Sequence, residues 1–310
     1  MLWDIDHDVQ FIDHTPDSHM PIPLRNRWAR RACVAALPTV LATVVVVSTA
    51  AAHDFWIIPD VFSAPVDAAL HFSGRAGTRF PAGTAVQPSR IADARLIGAS
   101  SQTKITEMAV EGTSLRLHQK PPTPGQYIVA VTLTSSPARS TAAGMLRFLK
   151  GEGGATEAAR LERENALAGL DSLVYQATSY AEAIVEVGRG GPRAFATSTG
   201  LPLEFVPVND PSHLHDGDTL HVKVVGFGKS IPNVGIFAGP AADTTAGVTA
   251  GGGNTSLSLV ADNAGVVHLP LTKAGAWNLR AAYVSKGSGS AANAWTISRT
   301  TYVFGVSPKH

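Results

Sequence analysis

Cysteine is almost absent from this sequence: Cys33 is the one instance in 310 residues. A lone thiol excludes an intrachain disulfide and a multi-thiolate metal site. Charge is sparse as well, 16% of residues, and the formal balance is only +1. Outside the N-terminal segment no cluster of Lys and Arg could track a phosphate backbone, so no nucleic-acid partner is expected. Also missing are G-x-S-x-G, H-E-x-x-H and a phosphate-binding glycine loop, the commonest signatures of hydrolase and nucleotide chemistry. Apolar residues, in contrast, make up 45% of the chain. At this length that is enough to bury a real core.

The N-terminus reads as a leader spanning 1–52. Arg25, Arg27, Arg30 and Arg31 precede an apolar stretch running through Val44–Val47, and small residues follow at Ser48-Thr49-Ala50-Ala51-Ala52. A basic start, an apolar middle and a small-residue end form an export signal. The apolar stretch is shorter than the ~20 residues of a spanning helix, and Pro38 interrupts it. Residues 1–19 hold five aspartates and no Lys or Arg, so the true start is expected at Met20. His7, His14 and His19 then drop out as candidate ligands. Cleavage after Ala52 makes His53 the first mature residue; the alternatives are cleavage after Ala51 and an uncleaved N-terminal membrane anchor. The expected location is the periplasm, and the mature chain has no cysteine and no disulfide.

After the leader, short apolar or alternating runs predict strands: Leu70-His71-Phe72, Arg95-Leu96-Ile97, Ser114–Leu117 and Tyr127–Leu133. Strands return at Leu203–Pro207, Thr219–Gly226, Val234–Phe237, Ser256–Val260, Val266–Leu271, Trp277–Val284 and Trp295–Phe304. Pro124-Gly125-Gln126-Tyr127 has the form of the turn before a late Ig-like strand. Between the two strand-rich regions the hydrophobic period changes. Leu161, Leu167, Leu170, Val174, Ala177, Ala181, Ile184 and Val185 fall three and four apart, which predicts a helix within 156–187 ended by Gly188. The fold expected is mainly β: two Ig-like β-sandwich lobes, at 53–137 and 200–310, with a helical insertion at 138–199. A mobile Gly/Thr/Ala-rich loop is expected at 241–254. Trp56, Trp277 and Trp295 are assigned to the core, and Glu204 to a structural role.

Ala52-His53-Asp54-Phe55-Trp56-Ile57-Ile58-Pro59, directly after an export signal, resembles the opening of the DUF4198 family. Gly200–Pro207, Leu214–Leu220, and Asn263–Val266 with Ala274–Trp277 resemble later segments of the same family, so the resemblance spans 52–306. It departs at Gly74-Arg75, where the family is expected to carry Gly-His. That family is also described as a periplasmic component of nickel/cobalt transport. The resemblance implies two Ig-like lobes, export, handling of a divalent metal (Ni, Co or Cu) and a membrane transport component as partner.

The residues themselves point to a metal at His53. A free N-terminal histidine offers its amino nitrogen and imidazole Nδ1 to one ion, and a second histidine would complete a T-shaped nitrogen site. Cu(II) and Ni(II) accept such geometry. His71, in a strand soon after the motif, is the first candidate for the second ligand, and His118 the next. His213 and His215 form an H-x-H pair that would share one face of a strand but stands beside Pro211 and Gly217, where a turn is favoured. His221, on a face with Lys223, and His268, alternating with Val267 and Leu269, read as solvated. Three functions remain open: a periplasmic binding component for Ni, Co or Cu, a non-metal Ig-like envelope interaction module, and a copper monooxygenase-like enzyme.

Overall fold

A computed structural model describes residues 53–151, 154–241, 257–287 and 294–309. Residues 1–52, on which the expected leader falls, nearly all of the 241–254 loop, and His310 lie outside the described residues. The first half supplies β1 (Asp54–Pro59), β2 (Ser63–Ala64), β3 (Leu70–Arg79), β4 (Ala82–Ala85), β5 (Ile91–Gly98), β6 (Gln102–Lys104), β7 (Glu107–Glu111), β8 (Ser114–Gln119), β9 (Gly125–Leu133) and β10 (Ser136–Ser140). Two helices follow, α1 (Ala142–Gly151) and α2 (Ala155–Arg163), and then β11 (Leu173–Val187). The second half supplies β12 (Leu203–Pro207), β13 (Thr219–Gly226), β14 (Lys229–Ser230), β15 (Gly235–Pro240), β16 (Leu257–Val260), β17 (Val266–Pro270), β18 (Gly275–Lys286) and β19 (Trp295–Val306).

The chain is mainly β, and its halves are Ig-like sandwiches. In the first, the order β1-β3-β8-β7 faces β6-β5-β9-β11, which is the A-B-E-D against C′-C-F-G arrangement. The second repeats it: β12, β13 and β17 take the places of A, B and E, and β16-β15-β18-β19 those of C′-C-F-G. Both lobes carry the aromatic corner of such folds at the start of F. The Tyr127 hydroxyl donates to Thr123 O at 2.6 Å, and Trp277 Nε1 donates to Lys273 O at 2.7 Å. Gly125 and Gly275, two residues before each aromatic, sit at φ +150 and +115, where a side chain is disfavoured.

The lobes are joined through their last strands. β11 and β19 run parallel, with Tyr180 opposite Thr300 and Glu182 opposite Tyr302, and this fuses both C′-C-F-G sheets into one. Each lobe covers the opposite face of that shared sheet. Alternate residues Ala181, Ala183 and Val185 of β11 join Phe55, Trp56, Ile57 and Phe72 in the first core. Tyr180 and Ile184 join Phe205, Leu220, Trp277 and Tyr302 in the second. Each large side chain so buried contributes roughly 1.5–3 kcal/mol.

The helical expectation over 156–187 holds only as far as Arg163, and from Leu173 it is overturned by a 15-residue strand. From Ala177 onward β11 is covered on both faces, so apolar residues such as Ala181, Ala183, Ile184, Val185 and Val187 occupy both sides and the alternation is lost. Within such a run, residues three and four apart are apolar by density alone. The helices of the insertion are α1, which the sequence reading left unassigned, and α2. Thr141 begins α1 by accepting Gly144 N on its hydroxyl at 3.0 Å. Met145, Leu149, Ala158 and Leu161 bury against Ala282, Val284, Trp295 and Ile297. Glu157, only 4% exposed, accepts Val284 N at 2.9 Å and is bridged to Arg160. The insertion is therefore a packing layer on the shared sheet. None of the described helices is long and apolar enough to cross a membrane.

Candidate functional site

β3 alternates Leu70 and Phe72 inward with His71 outward, and β8 does the same with Leu117 and His118. Their antiparallel register sets His71 opposite His118. The rings meet edge to face at 4.6 Å between centroids, and Nδ1 lies 2.5 Å from Nδ1. At that separation one nitrogen must carry a proton and the other a lone pair. Both histidines are held by strand backbone over a packed core, so the two nitrogens converge without a mobile loop. One row along, Arg116 pairs with Asp60 at 2.5 Å and donates to Ser73 Oγ at 2.5 Å. The Asp60 hydrogen bond raises the Arg116 pKa, and the carboxylate absorbs the charge that would otherwise repel a cation nearby.

His53 does not join this pair. It precedes Asp54, which faces Gly77, whereas His71 lies at the other end of β1, where its carbonyl accepts Asp60 N. The antiparallel run puts roughly 20 Å between them. The T-shaped site that combines His53 with His71 or His118 is corrected on this register. The His53 carbonyl instead accepts Arg299 Nη1 at 3.0 Å. His213 and His215 do not share a strand face either. Pro211–His213 is a single 3-10 turn capped by the Asp210 carboxylate, and His215 forms an isolated bridge to Ser307. Their Nδ1 atoms stand 3.9 Å from Asp210 and 3.7 Å from Asp218. Among the described residues, no three His, Cys, Asp or Glu side chains converge as a metal cluster. A metal at any of these places would draw its remaining ligands from solvent or a partner.

A second pair escaped the sequence reading. His221 of β13 and His268 of β17 face each other across the second lobe, with Nδ1 2.7 Å from Nδ1 and centroids 4.8 Å apart. Both are on outward faces, as read, but they are not separately solvated. The signal available was an offset of 150 residues: Leu70/Leu220, His71/His221, His118/His268, Gly125/Gly275 and Tyr127/Trp277.

A buried carboxylate pair lies where the lobes meet. Glu204, 1% exposed, accepts Ser198 Oγ at 2.5 Å, Thr199 N at 2.7 Å, Thr199 Oγ1 at 2.7 Å and Gly200 N at 3.1 Å. Glu182, 0% exposed, accepts Phe205 N at 3.0 Å and touches the same Thr199 Oγ1 at 2.7 Å. One hydroxyl has one proton. If Thr199 donates to Glu204, Glu182 must itself donate to Thr199. Burial, opposed by the Phe205 N–H and reinforced by Glu204, pushes Glu182 up to about 8, so it is neutral at pH 7. Neither carboxylate reaches solvent, and both serve the lobe seam. A cleft of about 200 Å³ opens elsewhere, beside Glu186 and Ser212, and no histidine lines it.

Comparison with known proteins places these features in a family. Residues 50–285 match the family described as "Domain of unknown function (DUF4198)". No curated protein matches the chain. Among solved structures, the chain resembles murine CEACAM1b at 9% identity and TM-score 0.18, with 83% of this chain and 100% of that one covered. It resembles mouse nectin-like molecule 4 at 13% identity and TM-score 0.18, covering 81% of this chain and 63% of that one. It resembles Salmonella alpha-2-macroglobulin at 11% identity and TM-score 0.21, covering 82% of this chain and 15% of that one. At such scores these likenesses carry no functional argument.

Proposed function

The chain belongs to the DUF4198 family, and from that premise we propose an exported Ig-like β-sandwich protein that binds a divalent transition metal through His71 and His118. The observation that carries the reading is the convergence of two imidazole Nδ1 atoms 2.5 Å apart on an outer sheet face. Imidazole suits Cu, Ni and Zn. With metal–nitrogen bonds of ~2.0–2.1 Å, a right-angle bite needs nitrogens ~2.9 Å apart and a tetrahedral bite ~3.3 Å. The pair therefore needs the smaller opening for a tetragonal ion, which favours Cu(II) or Ni(II). Two protein ligands and open remaining positions suit an ion that is taken up and passed on, in keeping with delivery to a transport partner in the periplasm.

Calorimetric titration with Ni(II) and Cu(II) tests it, on the protein and on His71→Ala and His118→Ala. Each substitution should weaken binding at the first lobe at least about tenfold. Affinity should also fall with acid, because imidazole must be deprotonated to bind. Unchanged isotherms in both variants would remove this site and favour an Ig-like interaction module without metal.

A further inference from the structure

We infer that His221 and His268 form a second, independent site for a tetragonal divalent ion, Cu(II) or Ni(II), on the outer face of the second lobe. The inference stands on its own residues and survives if the His71–His118 site fails. Its nitrogens, 2.7 Å apart, are within ~0.2 Å of the right-angle bite of a square-planar ion and ~0.6 Å short of the tetrahedral one. The rings meet edge to face, their planes crossing at 76°.

A carboxylate stands against one ring of this pair. Asp262 Oδ2 stands 3.6 Å from His268 Nε2. A carboxylate on that side favours the tautomer with the proton on Nε2, which leaves the Nδ1 lone pair pointing toward His221. Asp262 is itself fixed: its Oδ1 accepts Ala264 N at 2.8 Å and Val266 N at 2.9 Å. The position 150 residues earlier is Gly112, and the first pair has its neighbouring carboxylate on β7 instead, where Glu107 lies opposite His118. The backbone of His221 is equally fixed, its N–H given to Asn209 Oδ1 at 2.7 Å and its carbonyl accepting Val208 N at 2.7 Å. Lys223, the next side chain on that face of β13, lies opposite Val266, ~7 Å along the strand. Asp262, 3.6 Å from His268, brings a negative charge to the same face.

The test uses the full chain and Cu(II) alone, in a buffer that does not chelate copper. Four proteins are compared: the parent, His71→Ala/His118→Ala, His221→Ala/His268→Ala, and Asp262→Asn in the first-lobe double variant. Imidazole resonances assigned by NMR report which rings lie near the paramagnetic ion. In the first-lobe double variant, substoichiometric Cu(II) should broaden His221 and His268. Asp262→Asn in that background should weaken this uptake about tenfold. The His221→Ala/His268→Ala protein should lose one equivalent relative to the parent and keep His71 and His118 broadening. Unbroadened His221 and His268 in the first-lobe double variant would overturn the inference, whatever becomes of the first-lobe site. Loss of His71 and His118 broadening alone would overturn only the earlier proposal. Outward side chains make misfolding an unwelcome but visible outcome, so a dispersed spectrum of each variant is required, with His268→Gln as the milder replacement.

Discussion

Glu182 offers the sharpest test of the lobe seam. It is fully buried, shares Thr199 Oγ1 with Glu204 and accepts Phe205 N. Its pKa rises from an ordinary 4.5 to about 8, mainly through burial. For an acid raised in this way, the folded state keeps a proton that the unfolded state releases between those two values. Stability therefore falls as pH climbs from about 4.5 to about 8 and levels off above. The slope is ~1.4 kcal/mol per pH unit, and the whole window amounts to ~5 kcal/mol at most. That is a large share of the ~5–15 kcal/mol that holds a domain together. Glu182→Gln keeps the shape, a donor toward Thr199 and an acceptor for Phe205 N, but cannot ionise. Urea unfolding at pH 5, 6, 7 and 8 should show the two proteins within ~1 kcal/mol at pH 5. The variant should then gain ~1.4 kcal/mol on the parent with each unit. Parallel profiles for parent and variant would refute the neutral Glu182 and the proton order drawn through Thr199.

Two further substitutions probe how the layers are held. Leu161→Ala, in the buried face of α2, should cost ~2–5 kcal/mol and shift Trp295 emission to the red, because both residues share one core; unchanged emission and urea midpoint would mean the helical layer is not docked as described. Gly275→Ala should cost ~1–2 kcal/mol from backbone conformation alone, since an added Cβ there would meet nothing within 4 Å while φ is +115; a stability equal to the parent in urea would show that this corner relaxes freely.

The lesson for reading such a chain lies in which signals are local. One-sided strands such as β13 and β17 were legible because their alternation records a single buried face, and the aromatic core assignments followed from the same pattern. Glu204, a lone carboxylate near the start of a strand, gave no sign in sequence of the Ser198, Thr199 and Gly200 donors that surround it. β11 was misread because a strand covered on both faces loses its period of two. The pairing of His53 with His71 failed for a different reason. Nearness in sequence put His53 and His71 together, while the antiparallel course of β1 and β3 sends them to opposite ends.

The sequence by itself determined a mainly β chain with a single cysteine, the positions of most strands, the outward placement of His221 and His268, and the kinship carried by residues 52–59. Alternation and turn residues are local properties, so they are written in order along the chain. Only the tertiary structure decided that the two lobes share one sheet through β11 and β19, that Glu182 is sealed between them with its proton, and that histidines 47 residues apart meet in pairs. Strand register and the burial of a second sheet face are set by packing between distant segments. No spacing within a single strand encodes them.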